Sequence, residues 1–269
     1  MTWPPGPALL FCPADRPERF AKAAAAADVV ILDLEDGVAP ADKAAARTAL
    51  QSTLLDPART VVRLNPSGSA DHALDLTALA ETPYDVVMLA KTEDPEQVRS
   101  LAPRRVIALC ETPKGVLAAE AISAAEPTLA LMWGAEDLVA ALGGRSSRTV
   151  DGTYRDLARF ARSRVLLAAG AHDVVAIAAV HLDITDVDGL RAEAEDAAAS
   201  GFGATACIHP SQVPVIRTAY QPTAVETEWA RRVLAQARAE RGVFAFEGRM
   251  VDAPVLRHAE HVLARAGTD

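Results

Sequence analysis

The first side chains that could do chemistry form an acidic cluster. Asp33, Glu35 and Asp36 lie within four positions, at the end of an apolar run over residues 29–34. Strand side chains alternate, so Asp33 and Glu35 share one face and Asp36 lies in the turn beyond. Carboxylates crowded at the end of a buried strand repel one another unless a cation, a partner or a substrate offsets the cost. The alternative is that they only cap the next helix.

Two further acids follow other apolar runs. Glu111 comes after a run over residues 106–110, and Asp137 lies four residues beyond Trp133. Neither has a histidine nearby, and two carboxylates suit a hard cation bound through oxygen. Mg²⁺ fits best because it takes one or two carboxylates and completes its octahedron with water and substrate, with Mn²⁺ as an alternative. Each acid could equally cap a helix or lie in its first turn.

Arg63 ends the run over residues 60–64. Its planar guanidinium can hold a carboxylate through two hydrogen bonds, which suits a keto acid or its aldol adduct. The alternative is an internal salt bridge to Asp33 or Glu35. Both roles are compatible, because an arginine fixed by acids is better positioned for a ligand. Glu35 and Asp36 would then orient Arg63 and the waters of a bound metal ion.

Strand and helix patterns alternate along most of the chain, which is typical of a parallel sheet with crossover helices. We predict an α/β fold, a (β/α)8 TIM barrel over residues 1–221, followed by a C-terminal helical extension over 222–269. The predicted strands are residues 9–12, 29–34, 60–64, 86–89, 106–110, 129–133, 174–177 and 204–208. The predicted helices are residues 16–27, 42–50, 71–80, 95–101, 113–125, 154–169, 189–200, 226–241 and 254–266. In such a barrel the active site lies at the carboxyl ends of the strands.

Composition limits the classes of partner. The chain has 269 residues, half of them hydrophobic but only 4% aromatic, so alanine, valine and leucine must fill the core. A net charge of −9 argues against nucleic acid or an anionic membrane as partner. The three cysteines lack metal-ligand spacing, which favours reduced thiols in the cytoplasm. No signal peptide and no membrane-spanning apolar stretch is apparent.

Several motifs together resemble one known family. FCPADRPERFAKA, VILDLEDGVAPADKAAAR, VVRLNPSG, ALCETPKGV, MWGAEDL, ACIHPSQV and FEGRMVDAPV occur in this order and cover almost the whole chain. They resemble the citrate-lyase β-subunit-like proteins of the HpcH/HpaI aldolase superfamily, which includes malyl-CoA and citramalyl-CoA lyases. The chain looks most like the short, free-standing actinobacterial members. The resemblance implies Mg²⁺, an acyl-CoA thioester, a small keto acid, and a homotrimer whose C-terminal extension forms a lid on the neighbouring subunit.

The resemblance also implies roles for individual residues. Glu111 and Asp137 match the metal ligands of the family. The substrate and CoA contacts would be Phe11, Arg16, Lys22, Arg63, Glu111, Glu136, Asp137, Ile208 and His209. Lys22 could instead be an ordinary solvated helix residue. His209 could act as a base through its intrinsic pKa, but the family pattern makes it a binding and turn residue.

Asp252, in GRMVDAP, is the predicted acid/base. Desolvation in an apolar segment would raise its pKa, which suits proton transfer to or from carbon. The resemblance implies that this aspartate reaches the site of the adjacent subunit, and that the catalytic set is Asp252, Arg63, Glu35 and Asp36. The alternative is a helix N-cap before Pro254, and the two roles are compatible.

Two sequence features are expected to matter little for chemistry. Many relatives have Leu-Pro-Lys after the fourth strand, where this chain has Leu89-Ala90-Lys91, and we expect a change in loop geometry only. The remaining histidines show no constellation and are predicted to lie at the surface; they are His72, His172, His181, His258 and His261.

The reaction implied by the resemblance is reversible cleavage of a β-hydroxyacyl-CoA to acetyl-CoA and a keto acid. The substrate would be of the citramalyl-, malyl- or 3-hydroxy-3-methylglutaryl-CoA type. Three alternatives stay open: thioester hydrolysis on the same scaffold, a citrate-lyase-type subunit, and a non-catalytic barrel partner.

Overall fold

The computed structural model describes residues 3–240 and 242–267. Eight parallel strands close into a barrel in which each strand pairs with the next and β8 pairs with β1. The strands β1–β8 are Ala8–Pro13, Val29–Asp33, Thr60–Leu64, Val86–Leu89, Arg105–Cys110, Thr128–Trp133, Val175–Ala178 and Ala204–Cys207. This closed barrel with its flanking helices confirms the predicted fold class.

Helices connect and follow these strands. The helices α1–α9 are Phe20–Ala26, Lys43–Ser52, Ala70–Ala80, Pro95–Arg99, Pro113–Ser123, Ala135–Ala141, Asp156–Ala171, Val187–Ser200 and Val213–Tyr220. Most lie within a few residues of the predicted helices. Helices α6 and α9 fall outside the predicted helices, because each is short and begins soon after a strand, so its apolar period is too brief to be recognised.

Alternate residues of the strands fill the barrel interior with aliphatic side chains. Leu9, Ile31, Val61 and Leu109 belong to one buried cluster there. Because the side-chain period of a strand is two, the next inward-facing residue on each strand lies two positions later, at its carboxyl end. On β1, β2 and β3, and just after β5, these residues are Phe11, Asp33, Arg63 and Glu111. The polar site is therefore a continuation of the apolar core.

The chain divides into two compact units, one ending at Ile216 and the other beginning at Arg217. The second unit contains α10 (Ala224–Ala237), a hairpin of β9 (Phe244–Phe246) and β10 (Arg249–Val251), and α11 (Ala253–Ala266). Its core residues are Ala230, Val233, Phe246, Val251, Ala259 and Val262. The predicted helix end at Arg241 and the predicted domain limits at Met1 and Asp269 lie outside the described residues. Among the described helices, none combines the length and the apolar character that a membrane crossing requires.

Candidate active site

Arg63 is held by two buried carboxylates at the carboxyl ends of β2 and β3. Its Nε and Nη2 donate to Oδ1 and Oδ2 of Asp33, each at 2.6 Å, and its Nη1 lies 3.0 Å from Oε2 of Glu35. Asp33 and Glu35 are each 2% exposed. Burial would lower the pKa of Arg63, but these two carboxylates outweigh it and raise the pKa, so the guanidinium stays charged. Since it has five N–H groups, Arg63 retains donors for a ligand.

The turn after β2 is shaped around Asp33. The backbone N–H groups of Glu35 and Gly37 each donate to the Asp33 carboxylate at 2.9 Å. A Cβ at position 37 would lie 2.2 Å from Oδ2 of Asp33, so only glycine lets the backbone approach this closely. Glu35 and Asp36 are thereby held at the rim of the barrel beside Arg63.

Lys91 lies at the centre of this acidic cluster, although the sequence pattern predicts no chemical role for it. Its Nζ contacts Glu35 and lies 3.1 Å from Oδ2 of Asp36 and 3.6 Å from Oδ1 of Asp137. Its backbone N–H donates to Oε1 of Glu111 at 3.0 Å. Lys91, in the loop after β4, therefore contacts acids that follow β2, β5 and β6.

Glu111 and Asp137, the two predicted metal ligands, lie close enough to influence each other. Glu111 is 3% exposed, and its burial, together with the charge of Asp137, raises its pKa to about 8 against the opposing effects of Arg63 and Lys91. Asp137 lies in the first turn of α6. A Cβ at Gly134 would lie 2.8 Å from the Cβ of Glu111, so the glycine makes room for this carboxylate.

The donor set fits a hard divalent cation. The charged form of buried Glu111 is poorly stabilised because a second carboxylate, Asp137, lies nearby. A divalent cation that binds both carboxylates would neutralise this pair. No group of three or more His, Cys, Asp or Glu side chains suited to a metal occurs among residues 3–240 and 242–267. Two carboxylates are sufficient for Mg²⁺, which keeps several positions for water and substrate.

The residues predicted to contact CoA lie on the side of β1 and β8. Phe11 is half-buried, and the Arg63 guanidinium lies over its ring with Cζ 4.9 Å from the centroid. Arg16 precedes the short 3₁₀ turn Pro17–Arg19 and forms a 3.3 Å ion pair with Asp15. Lys22 lies exposed on α1. Phe11 is thus part of the Arg63 cluster, while Arg16 and Lys22 lie at the surface.

Ile208 and His209 form the turn that follows β8. Their backbone N–H groups both donate to Oε1 of Gln212, at 2.9 and 3.1 Å. His209 Nδ1 lies 2.7 Å from Oγ of Ser211 and 3.2 Å from its backbone nitrogen. One ring nitrogen of His209 is therefore occupied in the turn.

Glu136 and Asp252 each form a hydrogen bond close to their own position in the chain. Consecutive helix residues face different directions, so Glu136 turns away from Asp137 and accepts a 2.6 Å hydrogen bond from Oγ of Ser147. Asp252 belongs to the second compact unit, where it caps α11 by accepting a 3.4 Å hydrogen bond from the N–H of Val255. Its predicted N-cap geometry is present.

Two of the histidines expected at the surface are buried, so that prediction is wrong for them. His72 is 8% exposed and its Nδ1 lies 2.9 Å from the backbone oxygen of Asn65. His181 is 6% exposed, and its Nδ1 lies 3.1 Å from Oε2 of Glu193, which also contacts Arg148. The two pairs lie 7 and 12 residues apart in the chain, and no local pattern identifies them.

Comparison with known proteins places this geometry in a family. Residues 8–210 match the family model described as HpcH/HpaI aldolase/citrate lyase. The chain is 66% identical over 262 residues to the citrate lyase subunit beta-like protein of Mycobacterium tuberculosis, covering 97% of this chain and 96% of that protein. It is 30% identical over 298 residues to the mitochondrial citramalyl-CoA lyase of Mus musculus, covering 97% and 86%.

A solved structure agrees with the fold over the same extent. Protein CitE from Mycobacterium tuberculosis, in complex with magnesium, acetoacetate and coenzyme A, superposes with a TM-score of 0.95 at 66% identity, over 97% of this chain and 98% of that chain. The resemblance drawn from the motifs is thereby confirmed. The chain belongs to the HpcH/HpaI aldolase/citrate lyase family, a family of lyases.

Proposed function

We propose that this protein is a Mg²⁺-dependent carbon–carbon lyase that reversibly cleaves a β-hydroxyacyl-CoA to acetyl-CoA and a keto acid. The observation that carries the proposal is the placement of Glu111 and Asp137 around Lys91, beside an Arg63 that retains free donors. A carboxylate pair next to a fixed guanidinium can receive a divalent cation together with an α-keto acid. Support comes from the relatives, since one carries the name citramalyl-CoA lyase and another was solved with magnesium, acetoacetate and coenzyme A.

Each proposed role follows from the chemistry of a side chain. Glu111 and Asp137 would hold Mg²⁺, or Mn²⁺, which would supply Lewis-acid polarisation of a substrate oxygen. Arg63 would bind the carboxylate of the keto acid and orient it. Glu35 and Asp36 keep Arg63 and Lys91 in place through the ion pairs described above.

The coenzyme would lie on the β1 and β8 side. The Phe11 ring would pack on the thioester arm, and the cations Arg16 and Lys22 would pair with phosphates. Ile208 and His209 would form the turn that receives the CoA end. Glu136 is hydrogen-bonded to Ser147, so it would contribute to substrate binding only through its position next to Asp137.

Asp252 would transfer the proton to or from the methyl carbon of acetyl-CoA. We propose that it does so in the site of a neighbouring subunit, within a cytoplasmic homotrimer whose residues 222–269 form a lid. The proposed lid would exclude water from the reacting carbon.

A panel of citramalyl-, malyl- and 3-hydroxy-3-methylglutaryl-CoA, incubated with Mg²⁺ or EDTA, tests the proposal. We expect acetyl-CoA and a keto acid from one or more of these thioesters with Mg²⁺, and none with EDTA. Free CoA with a hydroxy acid would instead indicate a thioester hydrolase. No turnover, with activity appearing only on an acyl-carrier-bound citryl group and partner subunits, would indicate a citrate-lyase-type subunit. No turnover of any kind would favour a non-catalytic barrel.

A further inference from the structure

Lys91 makes an unusual combination of contacts. Its ammonium lies 3.6 Å from Asp137 and 3.1 Å from Asp36 and also contacts Glu35, while its backbone N–H donates to Glu111 at 3.0 Å. It thus contacts both carboxylates of the proposed metal site, one through the main chain and one through the side chain. The Lys91 side chain is 30% exposed, so it lies partly in solvent at the carboxyl ends of the strands.

The backbone of Lys91 adopts a conformation that a lysine disfavours. Its φ angle is +49°, in the left-handed region where a Cβ crowds the following carbonyl. Glycine would adopt this angle without strain. The conformation is held by the hydrogen bond to Glu111 and by the N–H of Thr92, which donates to the backbone oxygen of Leu109 at 3.0 Å. A lysine at this position therefore carries backbone strain that a glycine would avoid.

The charge balance of the cluster indicates what the Lys91 side chain contributes. Arg63 forms its ion pairs with Asp33 and Glu35, whereas the Lys91 ammonium contacts Asp36 and Asp137. A divalent cation bound between Glu111 and Asp137 would lie within a few ångströms of this ammonium and repel it.

We propose that the Lys91 ammonium neutralises the acidic cluster while no divalent cation is bound, and that the arriving cation displaces it from Asp137. The inference rests on the proposed function, since it takes Glu111 and Asp137 as the metal ligands. Lys91 is then a positioning residue. It keeps the ligand carboxylates together in the metal-free protein, and it weakens metal affinity by competing for their charge.

Calorimetric titration of Mg²⁺ into wild-type protein and a Lys91→Met variant, without substrate, tests this competition. Even at the dielectric constant of water, removing a unit charge about 5 Å from a divalent ion changes its binding constant by about tenfold. We therefore expect Lys91→Met to bind Mg²⁺ about tenfold more tightly. We also expect its Tm in EDTA to fall below that of the wild type, and its Tm rise on saturation with Mg²⁺ to be larger.

Three further variants distinguish the local charge of Lys91 from its backbone strain and from the net charge of the protein. Lys91→Arg keeps the cation and should bind Mg²⁺ like the wild type. Lys91→Gly relieves the strained φ angle and also removes the cation, so it should match Lys91→Met in affinity and serves if that variant folds poorly. Arg105→Gln removes one positive charge at the opposite end of the barrel, where Arg105 begins β5 and pairs with Asp85, and should bind like the wild type.

The outcomes distinguish this inference from the proposed function. Unchanged or weaker Mg²⁺ binding by both Lys91→Met and Lys91→Gly, with normal binding by the wild type, would overturn the competition and leave the metal site standing. Absence of Mg²⁺ binding by the wild type would overturn the metal site, and the inference would fail with it.

Discussion

Replacing Arg63 by methionine should destabilise the barrel and remove keto-acid binding at the same time. The substitution leaves Asp33 and Glu35, each 2% exposed, without the guanidinium that they share. Breaking one side of a buried ion pair costs about 3–5 kcal/mol. We expect about 3 kcal/mol, at the lower end, because Asp33 keeps two backbone N–H donors and Glu35 keeps Lys91.

That free energy converts into a measurable change in melting temperature. For a unit of this size, 1 kcal/mol corresponds to roughly 2–4 °C, so the Tm of Arg63→Met should fall by roughly 6–12 °C. Differential scanning calorimetry measures the Tm, and titration with pyruvate or acetoacetate in the presence of Mg²⁺ measures ligand binding. The variant should show no detectable binding of either acid at concentrations that saturate the wild type.

Arg47 supplies a matched control for the stability effect. Its side chain is 11% exposed against 12% for Arg63, and it pairs with Asp75 at 2.7 Å and with Asp71 at 2.5 Å, between α2 and α3. Arg47→Met should therefore lower the Tm by a similar amount and leave keto-acid binding intact. A Tm change below about 2 °C for Arg63→Met would refute the reasoning about the buried pair. Retained keto-acid affinity would refute the binding role of Arg63.

Further predictions concern pH, packing and assembly. The hydrogen bond to Glu193 raises the pKa of His181 although burial opposes it; this stabilisation is complete below the unfolded pKa of about 6.5 and is lost as pH rises through the folded value. His181→Gln should therefore lower the Tm by a few degrees at pH 6 and by clearly less at pH 9, and an equal loss at both would contradict this. Gly134→Ala places a Cβ 2.8 Å from that of Glu111 and should weaken Mg²⁺ binding at least tenfold by calorimetry; wild-type affinity would show that the site tolerates the methyl group. Asp252→Asn and Glu111→Gln should each be inactive, but mixed trimers of the two should regain about a quarter of the wild-type sites if the aspartate serves the neighbouring subunit. Mixed trimers without activity would place Asp252 in its own subunit's site.

The barrel could be predicted because each of its strands is indicated by a short, local stretch of sequence. Apolar runs such as Thr60–Leu64 and Val86–Leu89 are bounded by turn residues, and their predicted and observed limits coincide. The same alternation explains why Arg63 and Asp33 face one another, since each continues an inward row of its own strand. The ion pair considered as the alternative role for Arg63 is present, and it leaves donors for a ligand.

Lys91 could not be assigned from the sequence because its role depends on distance along the chain and on one dihedral angle. Its partners Glu35 and Asp137 lie 56 and 46 residues away and meet it only when the barrel closes. Nothing in Leu89-Ala90-Lys91 indicates a positive φ angle. His181 was misplaced for a similar reason, since Glu193 and Arg148 come from α8 and from the loop before α7.

The hairpin in the second unit has a local sequence signal that was not among the predicted elements. Glu247 and Gly248 both have positive φ angles, +49° and +77°, and form a two-residue turn between short apolar strands. Such turns favour glycine at their second position. The stretch from Phe244 to Val251 should therefore be interpreted as a β-hairpin, whose core contacts are Phe246 and Val251.

The central claim is that Glu111 and Asp137 jointly hold one divalent cation. Crystals soaked in Mn²⁺, with anomalous scattering recorded at the manganese edge, test it most directly. We predict one strong anomalous peak within about 2.2 Å of a carboxylate oxygen of each residue, and its loss in a Glu111→Gln crystal. A peak that contacts neither carboxylate, or no peak at saturating Mn²⁺, would contradict the account.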